Sequence, residues 1–159
     1  MGTQKTIKIK KYLDIVEEYE AVAALYPGHL LELTTAGKVQ KHSDASGEVV
    51  AAFALEDELQ GNGIDDAYAA ADKVQVWYPT KGEVVNAVLA DGENASIGSL
   101  LVSNGDGTLA VYTEPDSFDV HAPLMVVGQA IEAVDLSDSS GAEDSGALDW
   151  DKRICIRIV

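Results

Sequence analysis

Lys73-Val74-Gln75-Val76-Trp77-Tyr78, closed by Pro79, is the stretch that decides the fold class. Valines alternate with polar residues at a period of two, and an aromatic pair follows; a half-buried strand reads this way. Pro79 has no N–H to give to a ladder, so the strand stops there. Lys81-Gly82 then turns the chain into Glu83-Val84-Val85-Asn86-Ala87-Val88-Leu89, a second apolar run of strand length.

The same punctuation continues toward the C-terminus. Ala90-Asp91-Gly92 is a break, and Ile97 to Val102 is a further strand. Asn104-Gly105-Asp106-Gly107 turns into Thr108 to Tyr112; its Asn-Gly and Asp-Gly pairs supply the positive φ angles of a hairpin turn. After a loop with Pro115 and Pro123, Leu124 to Val134 is apolar enough for one buried strand. Residues 135–151 are acidic and rich in Ser and Gly, expected as a mobile, solvent-facing loop. Lys152 to Val159, with Arg153-Ile154-Cys155-Ile156-Arg157-Ile158 alternating, is the last strand.

Toward the N-terminus, Gln60-Gly61-Asn62-Gly63 excludes a regular element, and Val49 to Leu55 is an apolar run. Pro27-Gly28 turns into His29 to Leu33, and Ala36-Gly37 turns back into Val39 to His42. Tyr12 to Ala24 has mixed spacing and reads as extended, with at most a turn of helix. In Thr3 to Lys11, Ile7 and Ile9 alternate with Lys8 and Lys10. Turn signals every eight to twelve residues predict an all-β protein, a small barrel or sandwich of short strands with little helix. Residues 1–20 are expected as an extended N-terminal arm, and 21–159 as a single β-rich body.

Charge narrows the partners. The chain of 159 residues carries a formal net charge of −16. Residues 1–13 hold Lys5, Lys8, Lys10 and Lys11 and no acid, whereas 14–151 hold 4 basic against 27 acidic residues. Such a surface repels nucleic acid and anionic lipid, so neither is expected as a partner. No apolar run approaches the ~20 residues that span a bilayer, and the basic start lacks the apolar core of a signal peptide; a soluble protein is expected. A basic arm ahead of an acidic body points to attachment of the arm to an acidic surface.

No reactive constellation stands out. Cys155 sits in the alternating last strand and reads as a small buried hydrophobe rather than a reactive thiol. His29, His42 and His121 have no metal-type spacing and are expected at the surface or in turns. The Asn104–Thr108 stretch lacks the later ligands of a calcium loop. There is no Gly-x-Ser-x-Gly elbow, and the abundant carboxylates single out no acid–base pair. A swinging-arm module would need a lysine at the Asp91-Gly92-Glu93-Asn94 tip, which has none. Trp77 reads as core and Trp150 as exposed. No catalytic residue, metal or cofactor is expected, and no enzyme.

An ordered set of segments carries a resemblance. It runs from Leu25-Tyr26-Pro27-Gly28-His29-Leu30-Leu31-Glu32-Leu33 through Gly63-Ile64-Asp65-Asp66-Ala67-Tyr68, Asp72 to Ala87, and Leu89-Ala90-Asp91-Gly92. It continues through Ile97-Gly98-Ser99-Leu100-Leu101, Ser103 to Leu109, Val127 to Val134 and the terminal strand. In this order, over residues 20–159, the chain resembles the cement or decoration proteins of tailed-bacteriophage capsids; Gly98-Ser99 stands where the family usually has Gly-Asp. The resemblance implies a structural virion protein, made in the host cytoplasm. It would bind the outer capsid surface, often as a homotrimer, with the major capsid protein as partner. Lys5, Ile7, Lys8, Ile9, Lys10 and Lys11 are the expected capsid contacts, through edge pairing and charge. The alternative is a free-standing β-barrel module binding glycan or protein.

Overall fold

The computed structural model describes residues 4–114, 122–139 and 152–159. The protein is all-β, with thirteen short strands among the described residues, arranged in several antiparallel sheets. The strands are β1 (Lys8–Lys10), β2 (Val16–Glu20), β3 (Leu31–Leu33), β4 (Val39–Lys41), β5 (Phe53–Ala54), β6 (Lys73–Trp77) and β7 (Val84–Val88). They continue with β8 (Asn94–Ala95), β9 (Leu100–Ser103), β10 (Leu109–Val111), β11 (Gly128–Ala130), β12 (Val134–Asp135) and β13 (Arg153–Ile158). Helix among the described residues amounts to a 3-10 turn, Glu58–Gln60, and one turn of α-helix, α1 (Ala122–Met125).

Three layers stack. The largest sheet has the order β1-β7-β13-β11-β9-β10. Ile154, Ile156 and Ile158 alternate along β13 into the first core, with Val85 and Ala87 of β7 beside them. The middle layer is β2-β6-β5, and it is apolar on both faces. Trp77 and Phe53 point into the first core, while Val74, Val76 and Ala54 enter a second one. Leu31 and Val39 of the β3–β4 hairpin cover that second core from outside. The sheets do not close into a barrel. The parallel bridge between Leu89 and Leu109 draws one rim of the large sheet together.

The opening stretch is therefore β6, the central strand of the middle layer, and its period-two pattern feeds two cores at once. The Lys81-Gly82 turn carries the chain from that layer to the large sheet, where β7 is buried along all five residues. The Asn104–Gly107 turn joins β9 to β10 as a hairpin, with Gly105 and Gly107 at φ +89° and +86°. Leu124 to Val134 departs from the single strand expected. It divides into the end of α1, then β11, a bend and β12. At Gly128 a Cβ would lie 2.8 Å from the Arg157 carbonyl oxygen, so only glycine allows β13 this close.

The N-terminal segment lies along the body. Ile7 is fully buried in the first core, β1 pairs with β7, and β2 pairs with β6 over five residues. Of the acidic 135–151 loop, residues 140–151, Trp150 included, fall outside the described residues, as does His121.

Candidate contact surface

Buried and half-buried carboxylates fasten residues 6–13 to the body. Glu56 accepts from the Ile7 N–H at 3.2 Å and from the Thr6 hydroxyl. Glu83, fully buried, accepts from the Leu13 N–H at 2.8 Å, the Thr80 N–H at 2.6 Å and the Tyr12 N–H. Burial pushes the Glu83 pKa up, but these amides outweigh it and hold the group below the usual glutamate value. Between the two anchors, β1 forms the edge of the large sheet, with a register shift between Lys8 and Lys10.

This placement divides the six residues singled out in the sequence. Lys5, Lys10 and Lys11 are exposed, Lys8 and Ile9 half-buried, and Ile7 is inside. Lys8 and Lys11 each reach Asp14 at 2.5 Å; the hydrogen bond from Lys11, then that from Lys8, keeps this carboxyl below its usual range. Lys8 Nζ also stands 5.7 Å from the Trp77 ring centre, and Lys10 Nζ 5.5 Å from that of Tyr12. The lysines thus sit beside Tyr12, Leu13 and Ile15, which are 66%, 56% and 47% exposed. Sequence reasoning left that apolar trio out, because Tyr12 to Ala24 has mixed spacing that assigns no face to its apolar residues. The available signal was its adjacency to a lysine run without glycine or proline between them.

A second feature is a cleft of about 390 Å³ along the β3–β4 hairpin. Leu33, Val39, Val50, Val76 and Tyr78 form its apolar wall, with Glu32 and Glu48 at its edge. His42, 4% exposed, lines it and contacts the Ser103 hydroxyl at 2.9 Å. His29 is also buried, accepting the Tyr26 N–H at Nδ1 within the Pro27-Gly28 turn. His29 is in a turn, as expected, though enclosed there, whereas His42 corrects the expectation: it is buried outside any turn and bonded to a residue distant in sequence. Cys155 is buried, and burial first, then the Glu132 carboxylate, pushes its thiol up to about 12. Among the described residues no group of three His, Cys, Asp or Glu side chains is placed to hold a metal ion, and no helix is long and apolar enough to cross a membrane.

With the architecture in view, comparison with known proteins gives one kind of match. No protein-family model matches the chain, and no curated protein sequence is similar to it. Among solved structures, it is similar to the head fiber gp8.5 N base of bacteriophage phi29. The TM-score is 0.55 at 13% identity, over 92% of this chain and 95% of that one. The two share a fold. At this identity the likeness concerns architecture, and it spans nearly the whole of both chains, large sheet and outer layers together.

Proposed function

We propose that the protein is a structural component of a phage virion, binding the exterior of the capsid and reinforcing it by bridging major capsid subunits. The observation that carries this reading is the fold shared, over nearly its full length, with the base of a phage head fiber. The ordered resemblance to capsid cement proteins points the same way. So does the N-terminal segment, where Lys5, Lys10 and Lys11 are exposed beside the exposed Tyr12, Leu13 and Ile15 in a chain of net negative charge.

The mechanism is mechanical. Lys5, Lys8, Lys10 and Lys11, with Ile9 at the sheet edge, meet an acidic coat surface, while Ile7 contributes from inside by holding the segment on the body. A homotrimer at a three-fold lattice site would match protein symmetry to site symmetry. Each bound copy adds an interface that must break before the shell opens, and occupancy follows mass action.

The test is reinforcement itself. Shells lacking the protein are heated with and without saturating amounts of it, and genome release is followed by dye fluorescence. The reading predicts release at higher temperature when the protein is bound. Identical release curves at demonstrated full occupancy would remove the reinforcing role.

A further inference from the structure

Strand β2 leaves one side of its backbone open. The Tyr78 N–H donates to the Ile15 carbonyl at 2.9 Å, and the Ala21 N–H to the Asp72 carbonyl at 2.8 Å. These contacts bracket the β2–β6 register, in which Val16 faces Trp77 and Glu18 faces Gln75. Hydrogen-bonded pairs alternate along an antiparallel ladder, so Ile15, Glu17, Tyr19 and Ala21 bond across it. Val16 and Glu18 therefore turn their N–H and C=O groups away from β6, and those groups meet no partner among the described residues. Past Glu20 the open side ends. There β4 takes it, through the Ala21–Val39 bridge and the Val22 N–H on the Val39 carbonyl at 2.9 Å.

Other strand edges carry stops. On β10 the outward Val111 N–H is taken by the Glu93 carboxylate at 2.9 Å, and the Leu109 carbonyl by the Ala90 N–H at 2.8 Å. The Leu30–Phe53 bridge covers β5, and a register shift breaks β1. β2 keeps an unshifted register over five residues and has no proline, so its protection is charge. Glu17 and Glu18 are exposed. Their hydrogen-bond donors are uncharged: the Tyr19 hydroxyl for Glu17, and Gln75 Nε2, at 2.8 Å, for Glu18. Glu20 differs, since Lys38 pairs with it. Pairing β2 with the β2 of a second copy sets glutamate against glutamate, which is unfavourable. A strand carrying cations is favoured by the same two charges, so they select the partner as well as guard the edge.

Resting on the capsid-binding reading, we propose that β2 accepts an extended segment of a coat subunit as an added strand. The backbone of that segment bonds the open groups of Val16 and Glu18, and its side chains set the specificity. An apolar residue lies opposite Val16, and lysine or arginine opposite Glu17 and Glu18. The partner is thus a strand in which two adjoining cations stand next to an apolar residue. Tyr12, Leu13 and Ile15, exposed just ahead of β2, join this edge to the lysine segment. The two contacts draw on opposite chemistry, the lysines on an acidic coat surface and β2 on a basic coat strand. Together they orient the bound copy.

The test is hydrogen exchange of the full chain, free and bound to mature shells, resolved to the Glu18 amide. That amide is expected to exchange at least tenfold more slowly on the shell. Unchanged exchange at demonstrated occupancy would overturn the inference while leaving capsid binding standing. Two variants, checked for unchanged melting, separate backbone from charge. Glu18→Pro removes one outward N–H and no bond to β6, and the double reversal Glu17→Lys with Glu18→Lys keeps the backbone intact. Each is expected to bind shells at least tenfold more weakly; an affinity within twofold of wild type for the double reversal would overturn the selection of a basic strand. If wild type fails to bind shells, the capsid reading fails. The edge is then judged by amide NMR titration with the blocked peptide Ac-Thr-Lys-Lys-Val-Thr-NH2 against Ac-Thr-Glu-Glu-Val-Thr-NH2. Shifts at Val16 and Glu18 with the lysine peptide alone support a cation-selective edge; no shifts there, or equal shifts with both, overturn it. Slowed exchange at Glu18 in concentrated protein without shells would overturn the coat as occupant, because a second copy would then hold the edge.

Discussion

Replacing Glu83 with glutamine tests how the lysine segment is held. The carboxylate is fully buried and serves three backbone amides: Tyr12 and Leu13 on Oε1 and Thr80 on Oε2. Glutamine keeps the shape and one oxygen. With that oxygen toward Tyr12 and Leu13, its NH2 faces the Thr80 N–H, donor against donor. The unsatisfied buried groups cost about 1–3 kcal/mol, and turning two charge-assisted bonds into neutral ones costs roughly 0.5–1 kcal/mol each. The expected loss is about 3 kcal/mol at neutral pH, or roughly 6–12 °C in melting temperature for a domain of this size.

The pH dependence of that difference has a definite sign. Glu83 titrates below its unfolded value, so its contribution is present above the unfolded pKa and disappears as pH falls through the folded one. Urea unfolding of wild type and Glu83→Gln at pH 7 and at successively lower pH measures it. The gap between the two proteins should narrow below the ordinary glutamate range. A difference under about 0.5 kcal/mol at pH 7, or one that persists unchanged into acid, would refute the anchoring role.

Three further outcomes follow from the same geometry. Gly28→Ala should destabilise by about 2–4 kcal/mol in urea unfolding, because φ is +90° and a Cβ would sit 2.2 Å from the Arg153 Nη1 atom. That guanidinium cannot simply swing away, since it is buried while bonding the Pro27 and Ile64 carbonyls at 2.7 and 2.9 Å. Cys155, buried with its thiol at about 12, should resist a disulfide reagent at pH 8 in the native protein and react fully once unfolded. Reversing Lys10 and Lys11 to glutamate should weaken shell binding by tenfold or more and flatten its salt dependence, read by sedimentation across ionic strengths.

The local grammar of this chain was legible. Alternation in Lys73–Trp77 and Arg153–Ile158, and the glycine-bearing turns at Ala36-Gly37 and Asn104–Gly107, correspond to strands and hairpins of the structure. Period two says which residues share a face, but not what lies across from them. Hence the three-layer stacking, with β6 feeding two cores, could not be read from spacing. The lysine segment was recognisable by composition, yet Ile7 was assigned to the surface. Its side chain packs in the first core with Val85 and Ile154, and its N–H is taken by Glu56, forty-nine residues away. His42 was misplaced for the same reason: its partner Ser103 is sixty-one residues distant. The cleft needs Val50, Leu33 and Tyr78 from three separate elements, and no local pattern joins them.

The most direct test of the central claim is co-sedimentation of the purified protein with undecorated mature capsids, measured against immature shells. The account predicts saturable binding at a fixed number of copies per mature shell and little on immature ones. Absence of saturable binding to either shell would contradict it.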